Sequence, residues 1–346
     1  MKWNSSTSDS FKASNGVKQG GILSPILYCV YTDDLLLELQ KSGVGCYIGP
    51  YFYGAFAYAD DIILLCPSLK GTQEMLDICE KYAAQHNILF NAKKSQLLVV
   101  NGAKCHENLV SQNTLKLNGA EIPTVDEAKH LGHLLSNRVS QADGFIDVSY
   151  ITSCFYKSVN ILMATFGNVS SSVLCKLFVQ YCSSLYGIVL CNLSSSSVQK
   201  LCVAWRKSVR RICRLPYRTH SNILPLLLGT APLEISLKSR ILKFFNSLLH
   251  SKSRKVSYIA ELCRTQCISN MGSNVSSLLN EASIEAEKLC ASGLISCWNE
   301  TVSNEERAIA CVCRELMDNR DDISTIRPTL MTSNECKDLL NSICCD

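Results

Sequence analysis

Phe52-Tyr53-Gly54-Ala55-Phe56-Ala57-Tyr58-Ala59-Asp60-Asp61-Ile62-Ile63-Leu64-Leu65 sets two adjacent carboxylates between two apolar runs. Ala55 to Ala59 and Ile62 to Leu65 have the length and the β-branched and aromatic content of buried strands, so the Asp-Asp junction predicts a tight hairpin turn. Two readings of the pair stay open. Asp is a common turn former. Against that, the tip has no glycine, which two-residue hairpin turns favour. Charge beside apolar strands is also costly unless something neutralises it. A divalent cation would do so, because Mg²⁺ takes one or two protein carboxylates and completes its shell with water and substrate phosphate.

On the N-terminal side, Asn15-Gly16-Val17-Lys18-Gln19-Gly20-Gly21 is a glycine-bearing loop. Ser24 is the expected N-cap of a helix and Pro25 its first position. That helix should run through Ile26, Leu27, Val30, Leu35 and Leu39 to Ser42-Gly43, with Asp33-Asp34 on its solvated face. A flexible loop feeding a helix N-terminus suits close backbone approach to a phosphate or a base. On the C-terminal side, Gly71 to Gln85 predicts an amphipathic helix with Met75, Leu76, Cys79 and Tyr82 inward. Phe90 to Ser95 then leads into a strand at Gln96 to Val100, and Leu115 to Pro123 reads as a hairpin. Ala128 to Leu135 reads as a short strand interrupted by Gly132, where another backbone can approach closely.

Four strings in this order resemble the palm of reverse transcriptases, especially those of non-LTR (LINE-like) retrotransposons. They are Gly16-Val17-Lys18-Gln19-Gly20 through Leu23-Ser24-Pro25, then Tyr58-Ala59-Asp60-Asp61, then Lys93-Lys94-Ser95, then His130-Leu131-Gly132. The likeness covers about residues 15 to 136 and continues less sharply through Trp205-Arg206-Lys207 and Leu215 to Ser221. It implies an α+β fold: a partial polymerase palm (antiparallel sheet with packed helices) over 1–136, a helical thumb-like basic region over 137–255, and a C-terminal helical region over 256–346.

The resemblance also implies a chemistry, RNA-directed DNA polymerisation by two-metal nucleotidyl transfer. Asp60 matches the catalytic metal ligand and Asp61 its supporting neighbour. Gln19, Gly20 and Tyr58 match template and nucleotide contacts, and Leu131-Gly132 the primer grip. Lys94 matches the lysine that protonates the leaving pyrophosphate; a solvated strand-edge lysine is the alternative. Mg²⁺ or Mn²⁺ is the cofactor expected for the complete enzyme, with an RNA template, a DNA primer and deoxynucleotide triphosphates as partners. One departure stands out. The family's first catalytic Asp lies on a strand well before the Gln-Gly loop, whereas fifteen residues precede Gly16 here and Asp9 sits in a serine-rich polar run. The expectation is a truncated chain that is inactive alone, with a non-catalytic nucleic-acid-binding remnant as the alternative.

Beyond the palm-like region, residues 140 to 260 read as helical. From Leu201 to Arg214, helical spacing puts Arg206, Lys207, Arg210, Arg211 and Arg214 on one arc. It puts Leu201, Cys202, Trp205, Val209, Ile212 and Cys213 on the other. Lys200 to Lys255 holds thirteen Lys or Arg and one acid, Glu234. Such a face can lie along a phosphate backbone or simply be a solvated helix face. Further helices are expected at Glu281–Leu289 and Glu305–Met317, capped by Asn280 and Asn304.

Composition agrees with a globular chain: 346 residues, 47% hydrophobic, 18% charged and net charge +4. That excludes the strongly charged, apolar-poor class of disordered proteins. The polar start carries no apolar signal-peptide core, and the most apolar candidate span, Val173 to Leu193, is broken by Lys176 and Gln180. An intracellular place, nucleus or cytoplasm, with no membrane partner is expected. The 20 cysteines are scattered through apolar stretches without paired ligand spacing, which fits reduced core thiols and no zinc site.

Overall fold

The computed structural model describes residues 2–3, 5–7, 9, 20–100, 114–140, 144–146, 148–266, 269–282, 291–304, 306–307 and 310–311. Its contacts divide into two compact units, Met1–Val125 and Asp126–Asp346. Both mix helix and strand, giving the expected α+β class.

The first unit begins with the short ladder β1 (Lys2–Trp3) and β2 (Ser6–Thr7). Helix α1 (Ser24–Lys41) follows, with Pro25 in its first turn. Its N-cap is Leu23 rather than Ser24, and no side chain caps it. Pro25 explains the start: it lacks an N–H, and a helix wants no donor there. The helix stops where expected, at Ser42. Two hairpins come next, β3 (Tyr47–Ile48) with β4 (Tyr51–Phe52), and β5 (Ala55–Tyr58) with β6 (Asp61–Leu64). Their roots are joined by bonds from Cys46 N–H to the Leu65 carbonyl (3.0 Å), Tyr53 N–H to Cys46 (2.8 Å) and Leu65 N–H to Gly54 (2.7 Å). Gly54 permits this, because a Cβ there would come within 2.4 Å of the Phe52 ring.

Helix α2 (Leu69–Gln85) is N-capped by Ser68, whose hydroxyl accepts from Gly71 N–H. It buries Met75, Leu76, Cys79 and Tyr82, the stripe its spacing predicts. Leu35, Leu39, Phe52, Met75, Cys79 and Tyr82 form one core, with Ala55, Ile62 and Leu64 of the β5–β6 hairpin packed against it. Beyond α2, β7 is only Leu97–Leu98, shorter than Gln96 to Val100, and pairs in parallel with β10 (Thr124–Val125). Between them β8 (Lys116–Leu117) and β9 (Ala120–Glu121) close the expected hairpin. Its turn residues Asn118 and Gly119 are both at positive φ, as a type I′ turn requires. The Gln73 side chain holds β8 from α2, accepting from Lys116 N–H at 2.9 Å and donating to its carbonyl at 3.0 Å.

The second unit opens with β11 (Glu127–His130), β12 (His133–Ser140) and β13 (Gly144–Ile146), an antiparallel sheet. Ala128 to Leu135 is therefore a hairpin, not one interrupted strand. Leu131 and Gly132 both sit at positive φ, 47° and 82°, which turns the chain back where an extended strand was expected. The expected domain boundary at 136 falls inside β12. Helices α3 (Val148–Phe166), α4 (Ser171–Tyr181), α5 (Ser196–Ile212), α6 (Ile223–Leu228), α7 (Leu233–Leu249), α8 (Arg254–Gln266), α9 (Asn270–Ala282) and α10 (Ala291–Thr301) follow. Phe155, Phe178, Leu201, Trp205, Val209 and Ile212 are among the residues of its main core.

Asn280 lies within α9 (Asn270–Ala282) rather than ahead of a helix. Near the expected cap Asn304, Ser303 does the capping instead: its hydroxyl accepts from Glu306 N–H at 3.1 Å. The Glu306 carboxylate accepts from Ser303 N–H in return, a reciprocal capping box. Most of the helices expected at Glu281–Leu289 and Glu305–Met317 lie outside the described residues. No helix of the described residues is long and apolar enough to cross a membrane. Among the described residues Cys79, Cys175, Cys182, Cys191, Cys202 and Cys213 are buried.

Candidate functional site

Asp60 and Asp61 lie at the end of the β5–β6 hairpin, as the sequence predicts, but the turn is set one residue earlier. Tyr58 pairs with Asp61, so the two tip residues are Ala59 and Asp60. Ala59 takes the left-handed conformation, φ 52°, which favours glycine and costs an L-residue roughly 1–2 kcal/mol. Asp61 begins β6. Both carboxylates are exposed, and so are Phe56 (47%) and Tyr58 (66%). The expectation of buried strands is corrected: only one face of the hairpin meets the core. The desolvation argument for a neutralising cation falls with it, since water already surrounds both carboxylates.

Helix α1 runs close to this tip. Burial first, then the Asp60 carboxylate and Cys29, pushes the Tyr28 phenol above its ordinary value. Two exposed carboxylates are as many protein ligands as a hard divalent cation needs when water and phosphate fill its remaining positions. They do not make a closed cage: among the described residues no cluster of three His, Cys, Asp or Glu could hold a metal ion.

The remaining site residues are dispersed. Gly20 is at φ 81° with open space around the missing Cβ, while Gln19 and Gly16 to Lys18 lie outside the described residues. Lys94 is exposed and belongs to a turn, not a strand edge. Asn91 builds that turn, its carbonyl accepting from Lys94 and Ser95 N–H at 3.0 and 3.1 Å and its side chain from Lys93 N–H at 3.1 Å. Leu131 and Gly132 form the tip of the β11–β12 hairpin in the second unit.

The first residue past that tip, His133, stacks on Tyr186 with centroids 4.4 Å apart and planes 11° apart. Its ring lies against Gly187, where a Cβ would come within 2.1 Å of it. Burial first, and then His130, pushes the His133 imidazole below its usual value. A cavity of about 150 Å³ adjoins, lined by Gly132, His133, Tyr150, Phe155, Cys182 and Tyr186 among others. Arg240 of α7 fixes the Tyr186 segment, donating to the Ser183 and Ser184 carbonyls at 2.7 Å each. Sequence reasoning missed this anchor; Tyr186-Gly187 in a serine-rich stretch was the one local signal of a special turn.

The amphipathic split of α5 is as its spacing predicts: Leu201, Cys202, Trp205, Val209, Ile212 and Cys213 are all buried. The cationic arc is more divided than its spacing implies. Arg206 pairs with Glu234. Arg210 is half-buried and donates to the Thr219 carbonyl and Ser221 Oγ. Arg211 donates to Asn160 Oδ1 at 2.9 Å and Arg214 to the Gly167 carbonyl at 2.8 Å. Lys207, Arg211 and Arg214 remain exposed.

Comparison with known proteins finds similarity in the first part of the chain. Residues 1–135 match the family model described as reverse transcriptase (RNA-dependent DNA polymerase). The chain is 33% identical over 132 residues to the Retrovirus-related Pol polyprotein from the type-2 retrotransposable element R2DM of Drosophila melanogaster, covering 36% of this chain and 12% of that protein. It is 24% identical over 221 residues to the RNA-directed DNA polymerase from the mobile element jockey of Drosophila funebris, covering 58% and 22%. It is 32% identical over 124 residues to the Pol polyprotein from the type-1 retrotransposable element R2 of Popillia japonica, covering 34% and 17%. The matched part is thus under a quarter of the length of each relative. Residues 1–135 are similar to the reverse transcriptase family, and the relatives matched are proteins of retrotransposable or mobile elements.

Proposed function

We propose that this chain carries part of the machinery of an RNA-directed DNA polymerase, with the β5–β6 turn as its catalytic corner. The observation that carries the reading is the placement of Asp60 and Asp61 at an exposed hairpin tip beside α1. Exposed to solvent, these carboxylates can reach a cation and a nucleotide triphosphate together. Asp60 and Asp61 would hold Mg²⁺, or Mn²⁺ in its place. When bound, such a cation supplies charge neutralisation at the triphosphate and a more acidic 3′-hydroxyl on the primer.

The chain's own residues have distinct parts. Tyr58, Gln19 and Gly20 contact template and incoming nucleotide; Lys94 gives a proton to the leaving pyrophosphate. Leu131 and Gly132 seat the primer end, and the exposed cations of α5 (Lys207, Arg211 and Arg214) follow the backbone of an RNA–DNA duplex. Arg206 and Arg210 support that face through Glu234 and the 219–221 segment.

Primer extension on a primed RNA template with Mg²⁺ tests the reading. It is run with the chain alone and with the chain fused behind the residues that precede the matching segment in the Drosophila melanogaster relative. Extension by the fusion that falls roughly a hundredfold or more in Asp60→Asn supports it. A fusion that folds, binds primer–template and never extends it sinks it. That outcome would leave the second reading, a nucleic-acid-binding protein without catalysis, which the exposed cations of α5 favour.

A further inference from the structure

The C-terminal end of α5 does something its charge pattern does not foretell. Leu215 N–H donates to the Arg210 carbonyl at 2.8 Å and Arg214 N–H to the Arg211 carbonyl at 3.2 Å. That is the pair of hydrogen bonds of a Schellman ending. Its left-handed position, where glycine is usual, is held by Arg214 at φ 54°. The chain then makes a tight turn, Thr219 N–H donating to the Pro216 carbonyl at 3.0 Å. Tyr217 and Arg218 occupy its tip.

This turn is held from behind. Arg210 grips the Thr219 carbonyl with Nε and Nη2 at 3.0 and 2.8 Å, and Nη2 also reaches Ser221 Oγ at 3.0 Å. Thr219 itself is 2% exposed. The tip therefore projects from a fixed base. Tyr217 is 77% exposed, a large aromatic ring left in water. Arg218 lies 5.4 Å from its centroid and donates from Nε to the Tyr217 hydroxyl at 2.7 Å. Among the described residues no ion pair engages Arg218. Lys207, Arg211 and Arg214, spaced to share one face of α5, run toward this turn.

We propose that the Pro216–Thr219 turn is a contact site for single-stranded nucleic acid. An exposed ring beside a guanidinium matches one nucleotide: a base stacks on Tyr217, and its phosphate meets Arg218. Bases inside a duplex are already stacked and have no free face to give such a ring. An acidic peptide would use the cations and leave the ring idle. Arg210 is then a positioning residue, acting through the Thr219 carbonyl. The proposal takes nucleic acid as substrate class from the reading above and adds a strand-binding point in the second unit.

Fluorescence anisotropy with a labelled oligothymidylate of about 20 nucleotides, longer than a single-strand site of about 4–16, tests it. Tyr217→Ala should weaken binding about tenfold, while Tyr217→Phe keeps it, because stacking needs the ring and not the hydroxyl. Arg218→Ala should flatten the dependence of log affinity on log salt by about 0.7, one single-strand phosphate. Arg210→Lys, which keeps the charge but cannot fork onto Thr219, should weaken binding as Tyr217→Ala does. A Tyr217→Trp variant gives a reporter whose emission should be quenched at saturation. Equal affinity of parent and Tyr217→Ala, unchanged emission in Tyr217→Trp, or binding of polyglutamate in preference to the oligonucleotide overturns it. Those outcomes leave the polymerase reading standing, whereas absent extension with intact strand binding overturns that reading and not this one.

Discussion

Ala59, Asp60 and His133 show what single residues decide. The Asp-Asp pair was legible because two apolar runs flank it, but which residue would take the turn was not. A two-residue turn is set by strand register, and Tyr58 pairs with Asp61, which leaves the left-handed position to Ala59. His133 was invisible as anything but a neighbour of Gly132; its stacking on Tyr186 joins positions far apart in sequence. A titration consequence follows. With its folded value pushed below the ordinary one by burial and by His130, His133 stays neutral in the fold where the unfolded chain already takes up a proton. Above the unfolded value of about 6.5 neither state is charged, and stability does not depend on this group. Below it the unfolded chain gains protons first, so stability falls with pH until the folded imidazole titrates too. Urea unfolding of the second unit between about pH 5 and 8 should show that decline. His133→Phe, which keeps a ring on Tyr186, should flatten it; an equal slope in the variant would assign the decline elsewhere.

At the scale of elements, α2 and α5 followed their hydrophobic spacing closely because the apolar side of each packs on buried residues. Helix α1 did not. Leu35 and Leu39 are buried, yet Ile26, Leu27 and Val30, which share its apolar character, are 60%, 59% and 68% exposed. Spacing predicts which residues share a face but not whether a neighbour covers it. What fixes α1 is partly polar: the buried Tyr82 of α2 donates to the Tyr31 carbonyl at 2.6 Å. Burial, and after it Asp34 and Glu38, holds that phenol above its usual value and so protonated as a donor. Removing the hydroxyl in Tyr82→Phe should cost about 1 kcal/mol, with one helix carbonyl losing its extra partner and little else moving. Chemical denaturation of the two proteins measures it. No change would mean that α1 is held by its apolar contacts alone.

For the molecule as a whole, charge is the property that acts at a distance. The net charge of +4 is modest, and the cations concentrate in the middle of the chain. On an RNA–DNA duplex, the loss of Lys207, Arg211 or Arg214 as a phosphate contact should flatten the salt dependence by about 0.9 each. Lys207→Ser, Arg211→Ser and Arg214→Ser, tested one at a time by filter binding over a salt series, check this. Slopes unchanged in all three would take the α5 face out of duplex binding.

The sequence by itself determined the mixed α+β class, the hairpin that presents Asp60 and Asp61, and the inward stripes of α2 and α5. All of these are local patterns, set by spacing, turn chemistry and short strings of residues. Tertiary structure alone decided that the hairpin is half in water, that Leu131 and Gly132 cap a hairpin anchored on Tyr186 and Gly187, and that Arg210 grips a turn instead of facing solvent. Each of those depends on a partner brought up by folding, and a side chain's exposure or hydrogen bond cannot be known before its partner is in place.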